Sequence, residues 1–155
     1  MPGSSPSAEE SRGTHWVLLQ FAAMGLVLLV SGLPPRTPTW VSLSGLIFVA
    51  AGAAWFALGL RALGWNLTMF PRPKPQGVLV QHGVYRYARH PIYGGGLLIF
   101  VGFGLISSWP ALAATVLLAY VWVRKSQVEE RLLAARFPAY AEYRRRVRGR
   151  FLPCL

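Results

Sequence analysis

The sequence is short of cysteine and of acid. A single cysteine, Cys154, stands in 155 residues, which excludes an internal disulfide and any metal site built from several thiolates. Only Leu155 follows it, so the spacing of a C-terminal prenylation signal is missing and the chain is not read as its own substrate. Acidic residues number 5, namely Glu9, Glu10, Glu129, Glu130 and Glu142. Charged residues of both signs make up 14% of the chain against 54% hydrophobic, and mean hydropathy is +0.40. That balance excludes an ordinary soluble domain and favours a single small membrane unit. The charge that is present is basic, 16 Lys and Arg giving a formal net charge of +11. Nucleic acid, anionic lipid and the cytoplasmic loops of a membrane protein all fit such an excess, and its placement along the chain decides.

Residues 1–14 are small and polar, rich in Ser and Pro, and lack an apolar pattern to offset the cost of ordering the backbone. A disordered tail is expected there, with residues 15–155 forming one membrane domain. Residues 16–33 are almost continuously apolar and long enough to cross a hydrocarbon core. A cleaved signal peptide with Arg12 as its basic flank competes with that reading, but no small-x-small cleavage site follows, and Pro34, Pro35 and Arg36 read as a loop. Residues 40–60 form the second expected span. It carries Gly45, Gly52 and Gly59 on one helical face, where the missing side chains let another helix approach. The intervening loop is only long enough to reverse the chain, so the first two spans are expected as an antiparallel hairpin.

From residue 61 to 90 the chain leaves the apolar core. Arg61, Arg72, Lys74, Arg86 and Arg89 are basic, none of these residues is acidic, and Pro71, Pro73 and Pro75 alternate in a pattern that favours stiff, extended backbone. A connection this long between spans either carries function or serves as a tether. The apolar stretch from 92 to 123 is too long for one crossing, roughly 48 Å as a single helix, so it is read as two. Ser107, Ser108, Trp109 and Pro110 supply the break, with Ser108 a suitable N-cap and Pro110 tolerated in the first turn that follows. The result is an all-α polytopic membrane fold. It has about four transmembrane helices (near 16–33, 40–60, 91–107 and 109–130), a long loop at 61–90, and an interfacial helix at 131–150. The basic residues gather in the long loop and in the C-terminal segment, which places both termini and that loop on the cytoplasmic side and removes any need for nucleic acid. Anionic headgroup binding by the arginines from Arg144 to Arg150 fits the same pattern.

The densest chemistry lies at 83–96, GVYRYARHPIYGGG. Pro91 suits a first helical turn, which puts His90 at or next to an N-cap where unpaired N–H groups favour an anion. Arg89 adds a forked permanent charge, while Gly94 and its neighbours allow a ligand or another backbone to come close. Counting the rise of the fourth helix brings Glu129 and Glu130 back to the same level. A surface pair between Glu129 and Lys125, one turn away, is the plainer reading of that carboxylate. Tyr93 at the same height as His90 and Arg89 makes a site the better one. Tyr140 and Tyr143 follow at helical spacing, in a segment that lies on the surface or covers the site.

The string LVQHGVYRYARHPIYGGG, followed by EERLLAARFPAYAEYRRRV, resembles the isoprenylcysteine carboxyl methyltransferase and phospholipid methyltransferase superfamily of integral membrane enzymes. The resemblance covers about residues 77–150, while the first two spans match in general character only. It implies S-adenosylmethionine as methyl donor and a lipophilic acceptor, a prenylcysteine-like carboxylate or another membrane-soluble molecule. It carries the family's cofactor-binding histidine onto His90, its motif tyrosines onto Tyr85 and Tyr93, and its glutamate pair onto Glu129 and Glu130. Arg89 and the helix start with Gly94 suit the donor's carboxylate, acidic groups and aromatic faces suit its ammonium and sulfonium, and an apolar patch such as Leu79 and Val80 suits adenine. Glu130 or His90 is the candidate base for an acceptor that must lose a proton, and Arg144 or Arg148 a candidate partner for an acidic one.

Two other classes are weighed. A membrane reductase of related architecture would use NADPH, for which Arg72, Lys74 and Arg86 offer cations without a glycine fingerprint. A non-catalytic membrane adapter would make the motif structural. Binding of S-adenosylmethionine against NADPH separates the first from the methyltransferase.

Overall fold

The computed structural model describes residues 6–153, which hold five α-helices and no strand. These are α1 (Pro6–Val30), α2 (Thr39–Leu63), α3 (Pro91–Ser107), α4 (Trp109–Arg136) and α5 (Tyr140–Arg146). Helix α1 begins at Pro6, so residues 6–14 are helical where an irregular tail was expected. Proline is tolerated in a first turn, and the Ser-Ala-Glu-Glu that follows contains no breaker. The remainder of the expected tail, residues 1–5, lies outside the described residues, as does Cys154.

Among the described residues two stretches are long and apolar enough to cross a membrane, Gly13–Val30 with mean hydropathy 1.7 and Thr39–Asn66 with 2.0. Helix α3 is apolar but 17 residues long. The apolar part of α4 ends at Val123, where Arg124 and Lys125 begin, and covers about 22 Å of rise. The fourth apolar segment is thus shorter than the expected 109–130. Large apolar side chains point outward on three helices: Leu29 is 77% exposed, Ile47 71% and Val116 70%. Surfaces of that kind are stable against lipid rather than water.

Helix α2 packs on α3, α3 on α4, and α4 on α1. The expected hairpin of the first two spans is therefore not the main pairing, and α1 takes its neighbour from the far end of the chain. The glycine stripe of α2 explains why α3 is preferred as α2's partner. A Cβ on Gly45 would sit 2.6 Å from the carbonyl of Gly102, and one on Gly52 2.7 Å from that of Gly95. Backbone meets backbone, which brings many dispersion contacts into range.

At one end of the bundle the two short turns touch, with Trp109 N–H donating to the Pro35 carbonyl at 3.2 Å. Ser108 caps α4 there, its hydroxyl accepting from Ala111 N–H at 3.3 Å. The other end carries the long loop and the C-terminal segment. Helix α4 stops at Arg136 because Phe137 adopts extended backbone ahead of Pro138. Only seven residues then form α5, in place of one helix over 131–150. From Val147 the chain runs back to the start of α3, where Arg89 N–H donates to the Gly149 carbonyl at 3.0 Å and His90 N–H to that of Arg150 at 2.7 Å.

Candidate functional site

His90 occupies the N-cap position of α3 with Pro91 as the first helical residue, as the sequence suggests. The N–H groups of Arg89 and His90, however, are taken by the returning C-terminal carbonyls and are not open to a ligand. One turn on, the Tyr93 ring lies between two others. It stacks on His90 at 5.8 Å between centroids and on Trp122 of α4 at 5.4 Å. Phe151 stands edge-on to both His90 and Tyr93.

The end of α4 answers this cluster with two carboxylates. Tyr93 Oη donates to Glu129 Oε1 at 2.6 Å, and His90 Nδ1 lies 3.4 Å from Glu129 Oε2. Arg89 Nε donates to Glu130 Oε1 at 2.9 Å, and the same guanidinium holds the carbonyls of Val147 and Arg148. His90 Nε2 is 3.3 Å from Glu130 Oε1, outside hydrogen-bonding geometry. Glu130 stands nearly two turns beyond the apolar part of α4. Burial works against its charge, yet His90 and Arg89 outweigh that and hold its carboxyl down at about 2. Burial likewise opposes charging His90, but the two carboxylates beside it raise its pKa above the ordinary value.

Glu129 has a further neighbour. Lys125 Nζ is 3.9 Å away, but the lysine is 1% exposed, so the surface pair weighed from sequence is instead a buried one. Its ammonium donates to Gln20 Oε1 of α1 and to the Met69 carbonyl, both at 2.7 Å, and sits over the Tyr93 ring at 5.5 Å. One side chain thereby fastens α1, the long loop and α4 behind the site.

Beneath the long loop is a cavity of about 160 Å³. Leu79, Val80, Tyr85, Arg89, His90, Tyr93 and Glu129 all line it, joined by Arg72 and Lys74 from the proline-rich segment and by Tyr140 and Tyr143 from α5. The loop is tied down over it by Arg136, which donates to the Pro75 carbonyl at 2.7 Å, and by the bond from Lys74 to the Trp65 carbonyl. Tyr143 Oη donates to the Tyr85 carbonyl at 2.8 Å, and burial pushes the Tyr143 hydroxyl up to about 12. Two buried polar atoms of lining residues, His90 Nε2 and Tyr140 Oη, have no hydrogen-bond partner among the described residues. Buried polar groups are ordinarily satisfied, so such atoms mark a place for a ligand or water.

Four expected residues fall elsewhere. A Cβ on Gly94 would meet the Phe151 carbonyl at 2.0 Å; its missing side chain admits neighbouring backbone, not a ligand. Glu130 faces away from this cavity into a second one. Of the two arginines, Arg144 has its Nε 3.7 Å from Glu130, and Arg150, unforeseen from sequence, does the same; the Arg148 side chain is exposed and its carbonyl serves Arg89. The burial of Lys125 and Tyr140 was also unforeseen. For Tyr140 a signal existed, since Tyr140 and Tyr143 share a helical face, but Lys125 follows Arg124 and reads as part of a solvated pair.

The family model described as phospholipid methyltransferase matches residues 40–139. Among curated proteins, the chain is 31% identical over 117 residues to the cobalt-zinc-cadmium resistance protein CzcN of Cupriavidus metallidurans, covering 70% of this chain and 49% of that protein. It is 27% identical over 130 residues to the nickel-cobalt-cadmium resistance protein NccN of Alcaligenes xylosoxydans xylosoxydans, covering 78% and 56% respectively. The chain spans about half the length of the curated relatives it matches.

Proposed function

The chain belongs to the phospholipid methyltransferase family, and on that footing we propose that it transfers a methyl group from S-adenosylmethionine to a lipophilic acceptor at the cytoplasmic face of a membrane. The observation that carries this reading is the cavity in which His90, Tyr93 and Glu129 meet beneath the long loop, with Tyr140 Oη left without a hydrogen-bond partner among the described residues.

The residues present fit the donor's chemistry. Leu79, Val80, Leu133 and Phe137 give an apolar wall for adenine, and Arg72 and Lys74 give positive charge for a carboxylate. Glu129 suits an ammonium, and other aromatic rings of the lining, among them Tyr85, Phe137, Tyr140 and Tyr143, suit a sulfonium. When bound, S-adenosylmethionine supplies a methyl group on an electron-poor sulfur. The work left to the protein is alignment and exclusion of water, which the tethered loop and α5 perform. Arg89, occupied by Glu130 and by two carbonyls, holds the site's frame and does not reach for the cofactor.

Glu130 is a poor base, because a carboxyl held at about 2 has little affinity for a proton. His90, its pKa raised by both carboxylates, is charged over more of the pH range than an ordinary histidine. An acceptor that is already anionic needs no base, which favours a carboxylate over an amine or hydroxyl. Arg144 and Arg148 do not line the donor cavity and are not assigned to the acceptor. The relatives named for metal resistance do not specify an acceptor for this chain.

Calorimetric titration of the detergent-purified protein with S-adenosylmethionine and with NADPH tests the donor. S-adenosylmethionine is expected to bind, and Glu129→Gln with His90→Ala to abolish binding in a protein that still folds. Selective binding of NADPH overturns the proposal. Mass spectrometry of host lipids incubated with isotopically labelled donor identifies the acceptor.

A further inference from the structure

The second cavity, of about 470 Å³, is built from cations. Arg124 and Arg131 face it from α4, Arg144 from α5, and Arg150 from the segment that returns to α3. Among the described residues one carboxylate lines it, Glu130, which Arg89 holds at 2.9 Å and which Arg144 and Arg150 approach at 3.7 Å. Four guanidinium groups thus line one concavity and share with Arg89 a single described carboxylate, which leaves the hollow an excess of positive charge. The positive-inside tendency explains why basic residues lie at this end of the chain. It does not explain why three separate segments bring them to one hollow.

The hollow also sits at a particular height. Arg124 directly follows the apolar part of α4, and the remaining wall includes Trp16 near the start of α1's apolar stretch. An indole there is at the level where a bilayer's headgroups meet its hydrocarbon. One turn on from Trp16, Leu19 is 46% exposed, an apolar surface next to the cavity on the bilayer side.

We propose that this cavity binds the phosphate of an anionic membrane phospholipid, held by Arg124, Arg131, Arg144 and Arg150, with its glycerol and acyl chains passing Trp16 into the bilayer. Guanidinium forks match phosphate oxygens in pairs. The site is separate from the cavity assigned to the methyl donor, and it stands whether or not the chain transfers methyl groups.

The test uses the whole chain in detergent, titrated with phosphatidylglycerol, with phosphatidylcholine and with inorganic phosphate, and bound species are counted by native mass spectrometry. Phosphatidylglycerol is expected to bind in preference to the other two. Arg124→Gln and Arg131→Gln are each expected to weaken it roughly 5-fold, the effect of one cation near an anionic headgroup, while Arg61→Gln, on the last turn of α2, leaves it unchanged. Arg124→Lys with Arg131→Lys keeps the charge without the fork and is expected to recover part of the loss. Both arginines are exposed, and circular dichroism confirms that the variants fold. Unaltered phosphatidylglycerol binding in the paired glutamine variant overturns the proposal, and so does an equal loss in Arg61→Gln, which would mean diffuse attraction. Inorganic phosphate binding as tightly as the lipid overturns it too, by assigning the hollow to a soluble anion.

Discussion

Arg89 Nε and Glu130 Oε1 are 2.9 Å apart although 41 positions separate them in sequence, and this contact closes the end of the bundle. It joins the residue before α3's cap to the last part of α4, and through the other nitrogen of the guanidinium it takes in the carbonyls of Val147 and Arg148. Three chain segments therefore depend on one buried ion pair.

Replacing Glu130 by alanine is expected to destabilise the protein by about 3 kcal/mol, the lower end of the cost of stranding a buried charge, because Arg89 keeps its carbonyl partners. Thermal unfolding in detergent measures it. A midpoint equal to that of the parent protein would contradict the role given to the pair.

The ionisation of this cluster sets a pH window. His90 has its pKa raised above 6.5 in the folded state, so its stabilisation is complete below 6.5 and fades as pH climbs through the raised value. Glu130 is lowered from 4.5 to about 2, so its contribution is complete above 4.5 and fades as pH falls towards 2. The unfolding midpoint is expected to be highest between those limits and to decline on both sides. His90→Gln should flatten the alkaline decline and also make the acid one shallower, since His90 is one of the two cations that hold Glu130 down; a profile unchanged by that substitution refutes the assignment.

Two glycine substitutions should behave oppositely. Gly94→Ala drives a methyl group to 2.0 Å from the Phe151 carbonyl, which the backbone can relieve only by shifting the C-terminal segment, at a cost of about 1–3 kcal/mol. Gly25→Ala in α1 meets nothing within 4 Å and is expected to be neutral or to stabilise by up to ~1 kcal/mol. Equal midpoints for the two variants would mean that the segment does not pack on α3 as described.

Lys125→Met keeps the volume and removes the ammonium, leaving Gln20 Oε1 and the Met69 carbonyl without their donor. The expected cost is about 1–3 kcal/mol, accompanied by faster hydrogen exchange in residues 67–82, since the lysine anchors that loop to α4. Exchange confined to α1, with the loop still protected, would show that the lysine does not hold the loop.

Much of this arrangement was legible in the sequence where a residue's local chemistry decides its position. Pro91 and Ser108 mark helix starts, the glycines of α2 mark a close contact, and rise per residue brings Glu129 and Glu130 level with His90. Pairing was less legible. The apolar face of α1 says that it needs a neighbour but not which, so its packing on α4 could not be read from it. The C-terminal arginines interleaved with Val147 and Phe151 read as an amphipathic helix. The extended backbone at Phe137 ahead of Pro138 and the hydrogen bonds of Arg89 and His90 to Gly149 and Arg150 override that pattern. The burial of Lys125 was not legible because the partners that offset it lie in α1 and in the long loop, remote in sequence.

Tyr140 separates a structural reading of the first cavity from a binding one. Its side chain is 2% exposed, its hydroxyl has no partner among the described residues, and it lines the cavity with Tyr143. If that hydroxyl only packs, Tyr140→Phe removes a buried polar atom left unsatisfied and should leave stability equal or improved, with no effect on ligand affinity. If it is kept for a ligand, stability behaves in the same way while the affinity for S-adenosylmethionine falls by roughly 10-fold, the loss of one hydrogen bond. The binding reading expects the second outcome, in which the stability and affinity of a single variant move independently. Calorimetric titration beside a thermal unfolding curve measures both, and unchanged affinity assigns Tyr140 to packing alone.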